Sequence, residues 1–415
     1  MPENQGQVVL NKITTAFEMH KFTRNLLTEW RRLALPFADK IFVAAISGGA
    51  DSVSLALALH ELRERKKLNL RFVLAHFNHD LRGSEGDADE QFIRNFAERF
   101  GFELVCGKIQ NEESKIQNQT GNLEQNARLA RYRFLFEAAA NLRADAVLTA
   151  HTLNDQAETF LLNLIRGSGL AGLGGMKTIR NLESEDDELR ITNYELREEA
   201  ENSPPADQSK IRNQKSEIKL IRPLLKWAKR EATENFCRER EIEFRYDAMN
   251  DDLGFKRVRI RKVLLPLLKD FNPKIIETLA QTANMLQADF NALQTAANSI
   301  TRKSATETIE INQSGEEALE LKELKNLFPS IRRQILRQWL KEQRGGTRRL
   351  DLKHLEAVEN LISSRKSGRI IELPNGETVT KNEGKLFFKK RKVEKSLAAN
   401  YNQGLDSGER RPERY

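Results

Sequence analysis

The sequence predicts an α/β protein: a parallel, doubly wound sheet, then a helical region, then a small α+β C-terminal domain. Three observations carry this. Between Lys40 and Arg166, short apolar runs alternate four times with helix-length amphipathic segments. That order produces a parallel sheet with helices on both faces. From 228 to about 301 the apolar period is helical. Between 350 and 388, one helical pattern precedes three strand patterns, and Asn375-Gly376, a hairpin-turn pair, separates two of them.

The elements follow in order. Strands are expected over 40–46, 70–77, 102–109 and 144–150, each a short apolar or β-branched run. Helices are expected after them, over 52–65, 87–100, 122–141 and 154–166. A Gly-rich stretch, 167–175, closes this pattern. Residues 177–219 are polar and acidic with Ser203-Pro204-Pro205, and are expected to be a disordered surface insertion. A last short strand returns over 218–223. The C-terminal domain is expected to hold a helix over 352–363 and strands over 368–373, 377–381 and 385–389. The implied domains are 20–227 with the insertion near 177–217, a helical region 228–320, a domain 321–395 and a disordered tail 396–415.

Composition narrows the function. The 415 residues are 39% apolar and 31% charged, a soluble globular balance. No run approaches the roughly 18 apolar residues of a membrane span, and the first ten residues lack a signal-peptide pattern. Cys106 and Cys237 are the two cysteines, with no C-x-x-C pair, which excludes a disulfide scaffold, a cysteine zinc site and an iron–sulfur cluster. A cytoplasmic location is expected. The net charge of +8 hides an asymmetry: nine acids stand against two arginines over 181–201, and basic runs cluster at 256–269, 332–349 and 389–392. A polyanion partner fits this balance, as do solvated helix faces.

The strongest motif is Ser47-Gly48-Gly49-Ala50-Asp51-Ser52, where the first strand turns into the first helix. Glycines let backbone N–H groups approach an anion, Ser47 and Ser52 can donate, and the helix N-terminus favours negative charge. Asp51 beside phosphates makes sense if it meets a magnesium ion that neutralises them. The G-x-x-x-x-G-K-[ST] pattern is absent, which argues against γ-phosphate transfer of that kind. This loop resembles the signature of the PP-loop ATP pyrophosphatases, whose adenine nucleotide alpha hydrolase-like fold serves cleavage of ATP between its α- and β-phosphates.

Further motifs narrow the resemblance. They are His76-Phe-Asn78-His79-Asp-Leu-Arg82-Gly-Ser84, Glu124-Gln-Asn-Ala-Arg128-Leu-Ala-Arg131-Tyr132-Arg133, Ala150-His151-Thr-Leu-Asn-Asp155-Gln-Ala-Glu158-Thr159 and Arg166-Gly-Ser-Gly-Leu-Ala-Gly-Leu173. The set resembles the tRNA(Ile)-lysidine synthetase family. The likeness is close over 40–176, less close over 218–270 and looser in the C-terminal domain. The stretch from Asp247 to Arg261 is similar to a family motif, with Met249 and Val258 where Ser and Asn are typical.

The residues also have readings of their own. His76 and Asn78 end the second strand, where a nucleotide base can lie against the backbone. Arg128 and Arg131 share a helix face. An arginine there can clamp phosphates, or pair with Glu124 or Glu137; the resemblance favours Arg131 as the clamp. His151, Asp155 and Glu158 share a face if the helix has begun by His151. Asp155 and Glu158 suit a substrate with two ammonium groups such as free lysine, and they also suit the helix dipole. Arg257, Arg259 and Arg261 alternate in a segment without acids, as RNA phosphates would require.

The resemblance then implies an activity: ATP adenylates C2 of cytidine-34 in the CAU anticodon of an isoleucine tRNA, and L-lysine displaces AMP to give lysidine. It implies ATP and Mg2+ at 47–52 with Asp51 as metal ligand, His76, Asn78, Arg131 and His151 around the nucleotide, and lysine at Asp155 and Glu158. A homodimer is compatible with it. The alternative is a PP-loop tRNA thiolase or another adenylating tRNA-modifying enzyme.

Overall fold

A computed structural model describes residues 18–78, 84–108, 123–182, 218–246, 251–304, 309–311, 317–346, 349–364 and 366–390. Residues 183–217 of the acidic insertion expected at 177–217, the Asp247–Asn250 portion of the basic motif and the tail beyond 390 lie outside the described residues, while Ile179–Asn181 at the start of that stretch form an edge strand rather than disordered chain. The chain divides into two compact units, 1–292 and 293–415.

In the first unit, helix α1 (Lys21–Arg32) precedes strand β1 (Ala38–Ala45) and helix α2 (Ala50–Glu64). Then come β2 (Asn69–Asn78), α3 (Ser84–Arg99), β3 (Glu103–Lys108), α4 (Leu123–Asn141), β4 (Ala146–Leu148) and α5 (Leu153–Ile165). Short helix α6 (Leu170–Leu173), β5 (Ile179–Asn181), β6 (Lys219–Ile221) and α7 (Arg230–Glu239) complete the sheet region. The sheet order is β3-β2-β1-β4-β6-β5. All neighbours are parallel except the edge pair β5–β6. The order reverses between β1 and β4, and ligands of such sheets bind at the carboxyl ends beside that reversal.

Each face of the sheet has its own core. Phe22, Leu26 and Trp30 of α1, the apolar side of α2, Phe96 of α3 and Phe236 of α7 pack on one face. Tyr132, Leu135 and Ala139 of α4 pack on the other, over Val43, Val147 and Leu220. Burial on both faces explains why these strands read as continuous apolar runs rather than alternating ones. Helix α1 and edge strand β5 are additions to the elements read from the sequence. A three-residue edge strand carries too little periodicity to stand out.

Beyond α7 come α8 (Lys256–Arg259), a π-helical turn (Ile260–Leu264), α9 (Leu265–Phe271) and the long α10 (Ile275–Ser304). Ile260 and Leu265, with Ile276, Ala280 and Ala283 of α10, form a core with Leu153, Ala157 and Leu161 of α5.

The second unit is an antiparallel five-stranded sheet, β7 (Ile309–Ile311), β8 (Glu317–Glu320), β9 (Ile370–Glu372), β10 (Thr378–Asn382) and β11 (Lys385–Lys389), in the order β7-β8-β11-β10-β9. Helices α11 (Pro329–Arg344) and α12 (Leu352–Ser363) pack Leu336, Leu340, Val358 and Ile362 against Val379 and Leu386. Asn375 and Gly376 both take positive φ, 69° and 70°, between β9 and β10, the conformation a tight hairpin requires. Part of the basic run at 332–349 is internally neutralised: Arg332 and Arg333 pair with Glu359, and Arg344 pairs with Glu377.

Candidate active site at the carboxyl edge of the sheet

The loop from Ser47 to Ser52 joins β1 to α2. The Ser47 N–H donates to Ser52 Oγ at 3.1 Å, and Ser52 Oγ donates to the Gly49 carbonyl at 2.9 Å. Gly48 takes φ +83° and its carbonyl accepts from the Arg245 N–H at 2.8 Å. A Cβ at Gly48 would also lie 3.3 Å from Arg245 Cγ. Gly49 caps α2 without a side chain. The first N–H groups of the helix therefore face outward without intrahelical acceptors, a ready anion cradle.

Asp51 lies in the first turn of α2. Its Oδ1 accepts from the Thr233 hydroxyl at 2.5 Å, and its Oδ2 lies 3.8 Å from Arg230 Nε. Burial and the nearby Asp155 push its carboxyl up to about 6, against the pull of Arg230 and Thr233.

Beyond β4, Thr152 caps α5. Asp155 Oδ2 accepts from the Thr152 N–H at 2.8 Å and its hydroxyl at 3.0 Å. Asp155 Oδ1 accepts from Arg257 at 3.1 Å. Burial opposes the Asp155 charge, but Arg257, Arg230 and the Thr152 N–H together hold its carboxyl well below the usual range. Glu158 has no exposed surface. It accepts from Arg257 Nε at 2.8 Å and from Arg261 Nε at 2.7 Å. Arg230 lies 3.5 Å from Glu158 and 3.7 Å from Asp155. Three carboxylates and three guanidiniums thus form one cluster, with Arg230 reaching all three acids.

The predicted site residues are placed as follows. Ser47 through Ser52, Asp155 and Glu158 come together through Arg230. Helix α5 begins at Leu153, so His151 stands outside it rather than on a shared helical face; Thr152, extended and hydrogen-bonded to Asp155, sets that start. His151 Nδ1 is 3.0 Å from Thr149 Oγ1, and burial together with Arg222 keeps its imidazole neutral. His76 is buried with Nδ1 3.0 Å from the Ile46 carbonyl, which leaves Nε2 as a buried acceptor without a hydrogen-bond partner among the described residues. Asn78 is buried at the end of β2, with Gly86 of α3 packed on its amide. The alternating arginines 257, 259 and 261 are wound into a helix. Arg257 and Arg261, four apart, turn inward to Glu158, while Arg259 is exposed on another side. Arg131 lies on α4 beside Tyr132.

Arg230, Thr233 and Arg245 escaped the sequence reading. One signal was available for Arg230, a cation in the first turn of a helix, where the dipole disfavours it. Such a placement needs compensating anions, and three carboxylates supply them. Both thiols are poor nucleophiles: burial pushes Cys106 up, and burial with Asp51 nearby pushes Cys237 up to about 12. Among the described residues no helix is long and apolar enough to cross a membrane, and no group of three acids, histidines or cysteines has the arrangement of a metal site.

Comparison with known proteins identifies the domains. Residues 19–268 match a PP-loop domain, and residues 319–387 match the TilS substrate binding domain. The tRNA(Ile)-lysidine synthase of Dehalococcoides mccartyi is 31% identical over 83% of this chain and 65% of its own length. That of Geobacter sulfurreducens is 30% identical over 84% of this chain and 65% of its own length. That of Synechocystis is 30% identical over 82% of this chain and 89% of its own length. The chain therefore spans about 65% of the length of the first two relatives and most of the third. A matching PP-loop domain over more than half the chain, a matching substrate-binding domain and a relative aligned over nearly its full length lead to one conclusion: this chain belongs to the tRNA(Ile)-lysidine synthase family.

Proposed function

We propose that the chain uses ATP to ligate L-lysine to C2 of cytidine-34 in the CAU anticodon of tRNA(Ile), through an adenylated cytidine, releasing AMP and pyrophosphate. One observation carries this reading: Arg230 lies within 3.8 Å of Asp51 at the phosphate loop and also of Asp155 and Glu158. The nucleotide end and the acidic end are therefore one site.

The residues divide the work. The α2 N-terminus with Ser47, Gly48, Gly49, Ala50 and Ser52 receives phosphates, and Arg131 stabilises charge as pyrophosphate leaves. His76 Nε2, a buried acceptor without a partner, suits the exocyclic amine of a purine base near Asn78. Asp51 is the loop carboxylate a magnesium ion on the phosphates would meet, and one carboxylate plus phosphate oxygens is a donor set magnesium takes. Bound there, the ion would neutralise phosphate charge. Asp155 and Glu158 receive the ammonium groups of lysine. Their oxygens are held by Arg230, Arg257 and Arg261 here, so lysine enters by replacing guanidinium contacts with ammonium ones. Neighbouring guanidiniums also lower the pKa of an ε-ammonium, which must lose a proton before it attacks. Arg259, exposed beside this cluster, suits RNA phosphate, and an unpaired anticodon base is open to direct reading.

A thiolase activity has less support, because burial holds both thiols protonated. The test is pyrophosphate release with and without tRNA and lysine, with trapping of the adenylated tRNA. Release that needs tRNA but not lysine, followed by lysine-dependent loss of the adenylate, supports the proposal. Release independent of tRNA would defeat it.

A further inference from the structure

The segment 242–246, which follows α7, crosses the phosphate loop as a strap. Ile242 is buried in the core on the α1 face of the sheet and anchors one end. At the other end the Tyr246 hydroxyl donates to Asp251 Oδ1 at 2.8 Å. Between these anchors Arg245 meets its surroundings in three ways. Its N–H donates to the Gly48 carbonyl at 2.8 Å. Its Cγ and Cβ lie 3.3 and 3.5 Å from where a Gly48 side chain would begin, and Phe92 of α3 closes the same space at 3.6 Å. Its Nε donates to Asp89 of α3 at 2.7 Å.

The loop needs such an outside partner. Gly48 takes φ +83°, a conformation that glycine enters at little steric cost and leaves as easily. A loop able to approach an anion closely is therefore also one that loses much conformational entropy when it is held. The bonds inside the loop join Ser47 to Ser52 and Ser52 to Gly49. The Gly48 carbonyl is instead held from outside, by Arg245.

Any residue except proline at 245 carries the N–H for that bond. The side chain decides whether the N–H stays in place. With Phe92, Ile242 and Phe244, Arg245 also lines an open cavity of about 520 Å3, so packing fixes the strap incompletely. The tie to Asp89 completes the attachment, and it runs to α3, whose Phe96 is part of the same core as Ile242. An ion pair with 45% and 29% of its side chains exposed is a modest one, and a few-fold effect on a ligand is its proper scale.

We propose that Arg245, held by Asp89, is a positioning residue for the phosphate loop: the pair ties Gly48 to α3 and fixes the anion cradle before phosphates arrive. The guanidinium faces Asp89 and acts on the ligand only through Gly48. That the ligand is ATP rests on the function proposed above; the tie itself does not.

The test is calorimetric titration of the full chain with a non-hydrolysable ATP analogue, read beside hydrogen exchange at the residue-245 amide, whose protection reports the bond to Gly48. Arg245→Gln keeps Cβ and Cγ over Gly48 but loses the guanidinium. It and Asp89→Asn each weaken the analogue about three- to fivefold, the scale of one exposed ion pair, and each speeds exchange at that amide. The double variant loses no more than either single one. Arg245→Lys keeps the stem and the charge, and stays within about twofold. In turnover the KM for ATP rises by the same factor while kcat and the KM for lysine hold, whereas general damage to the fold lowers kcat as well. Melting curves establish that each variant is folded; if Arg245→Gln is not, Asp89→Asn and Arg245→Lys decide. Additive losses in the double variant overturn the pairing. Analogue binding that is unchanged or tighter in Asp89→Asn, beside a loss in Arg245→Gln, means that the guanidinium meets phosphate itself and overturns the positioning role. Unchanged exchange in both single variants overturns the tie. A parent chain that binds no analogue defeats the function above, and the exchange measurement alone then decides the tie.

Discussion

Two clusters at one edge of the sheet are rich in arginine, yet their arginines are held differently. Around Glu158, three guanidiniums meet three carboxylates, and the group is neutral overall. Around Tyr132, four guanidiniums meet a phenol and a neutral imidazole. The first can exchange one cation for another, which suits an ammonium substrate. In the second, an aromatic ring lies among the guanidiniums. Counting arginines along the chain predicts neither arrangement.

The largest effect expected is at the phosphate loop. Asp51→Ala should reduce pyrophosphate release by a hundredfold to a thousandfold, about 2.7–4 kcal/mol of lost transition-state stabilisation. The variant should remain folded, since Asp51 carries its charge in the fold at a cost. Undiminished release by a folded protein would detach the phosphate loop from the chemistry.

Glu158→Gln tests the neutral cluster. It should raise the apparent KM for lysine ten- to a hundredfold, as expected for one charge-assisted contact of roughly 1.5–3 kcal/mol. The adenylated tRNA should still form. The substitution also removes the charge that Arg257 and Arg261 pair with at this position, and breaking a buried ion pair costs about 3 kcal/mol. Asp155→Asn should share the lysine effect but cost less stability, about 1 kcal/mol for a weakened cap. Equal adenylate loss in both variants would place the acids with the nucleotide instead.

The pH dependence sharpens the same contrast. The fold keeps the Asp51 proton up to about 6, whereas the unfolded chain releases it near an ordinary ~3.9. Its contribution is complete at low pH and is lost as pH rises through that window. Asp155 has the opposite sign: held below its usual range, it stabilises above about 3.9 and loses that contribution as pH falls. Asp51→Asn should therefore stabilise the protein by on the order of 2 kcal/mol above pH 6 and by little below pH 4. Denaturant midpoints at pH 4 and 7.5 check this; a gain confined to low pH would contradict the burial of Asp51.

The smallest effect expected is Gly48→Ala, a loss of about 1–2 kcal/mol from the left-handed backbone. Its Cβ would also press on Arg245. ATP affinity should fall with it. A variant as stable as the parent would show that the loop relaxes freely.

Much of the fold is legible from local pattern. The turn from β1 into α2, the hairpin at Asn375-Gly376 and α12 follow from residue types within a few positions of each other. Other parts are not. Edge strand β5 is too short to show a period, and β7 and β8 acquire their partners only within the five-stranded sheet. Where α5 starts depends on Asp155 bonding back to Thr152, which moves His151 off the helix.

The sequence by itself determined the alternation of strand and helix, the glycine and hydroxyl groups of the phosphate loop, and the presence of Asp155 and Glu158 one turn apart. These are short-range properties, set by backbone sterics and periodicity. Only the tertiary structure decided which charges meet. Glu158 finds Arg257 and Arg261 at separations of 99 and 103 residues, and Asp51 finds Thr233 at 182. Tyr132 collects arginines from α4, β5 and the end of β6. Electrostatic energy depends on distance in space and on burial, and neither is written in the spacing of residues along a chain.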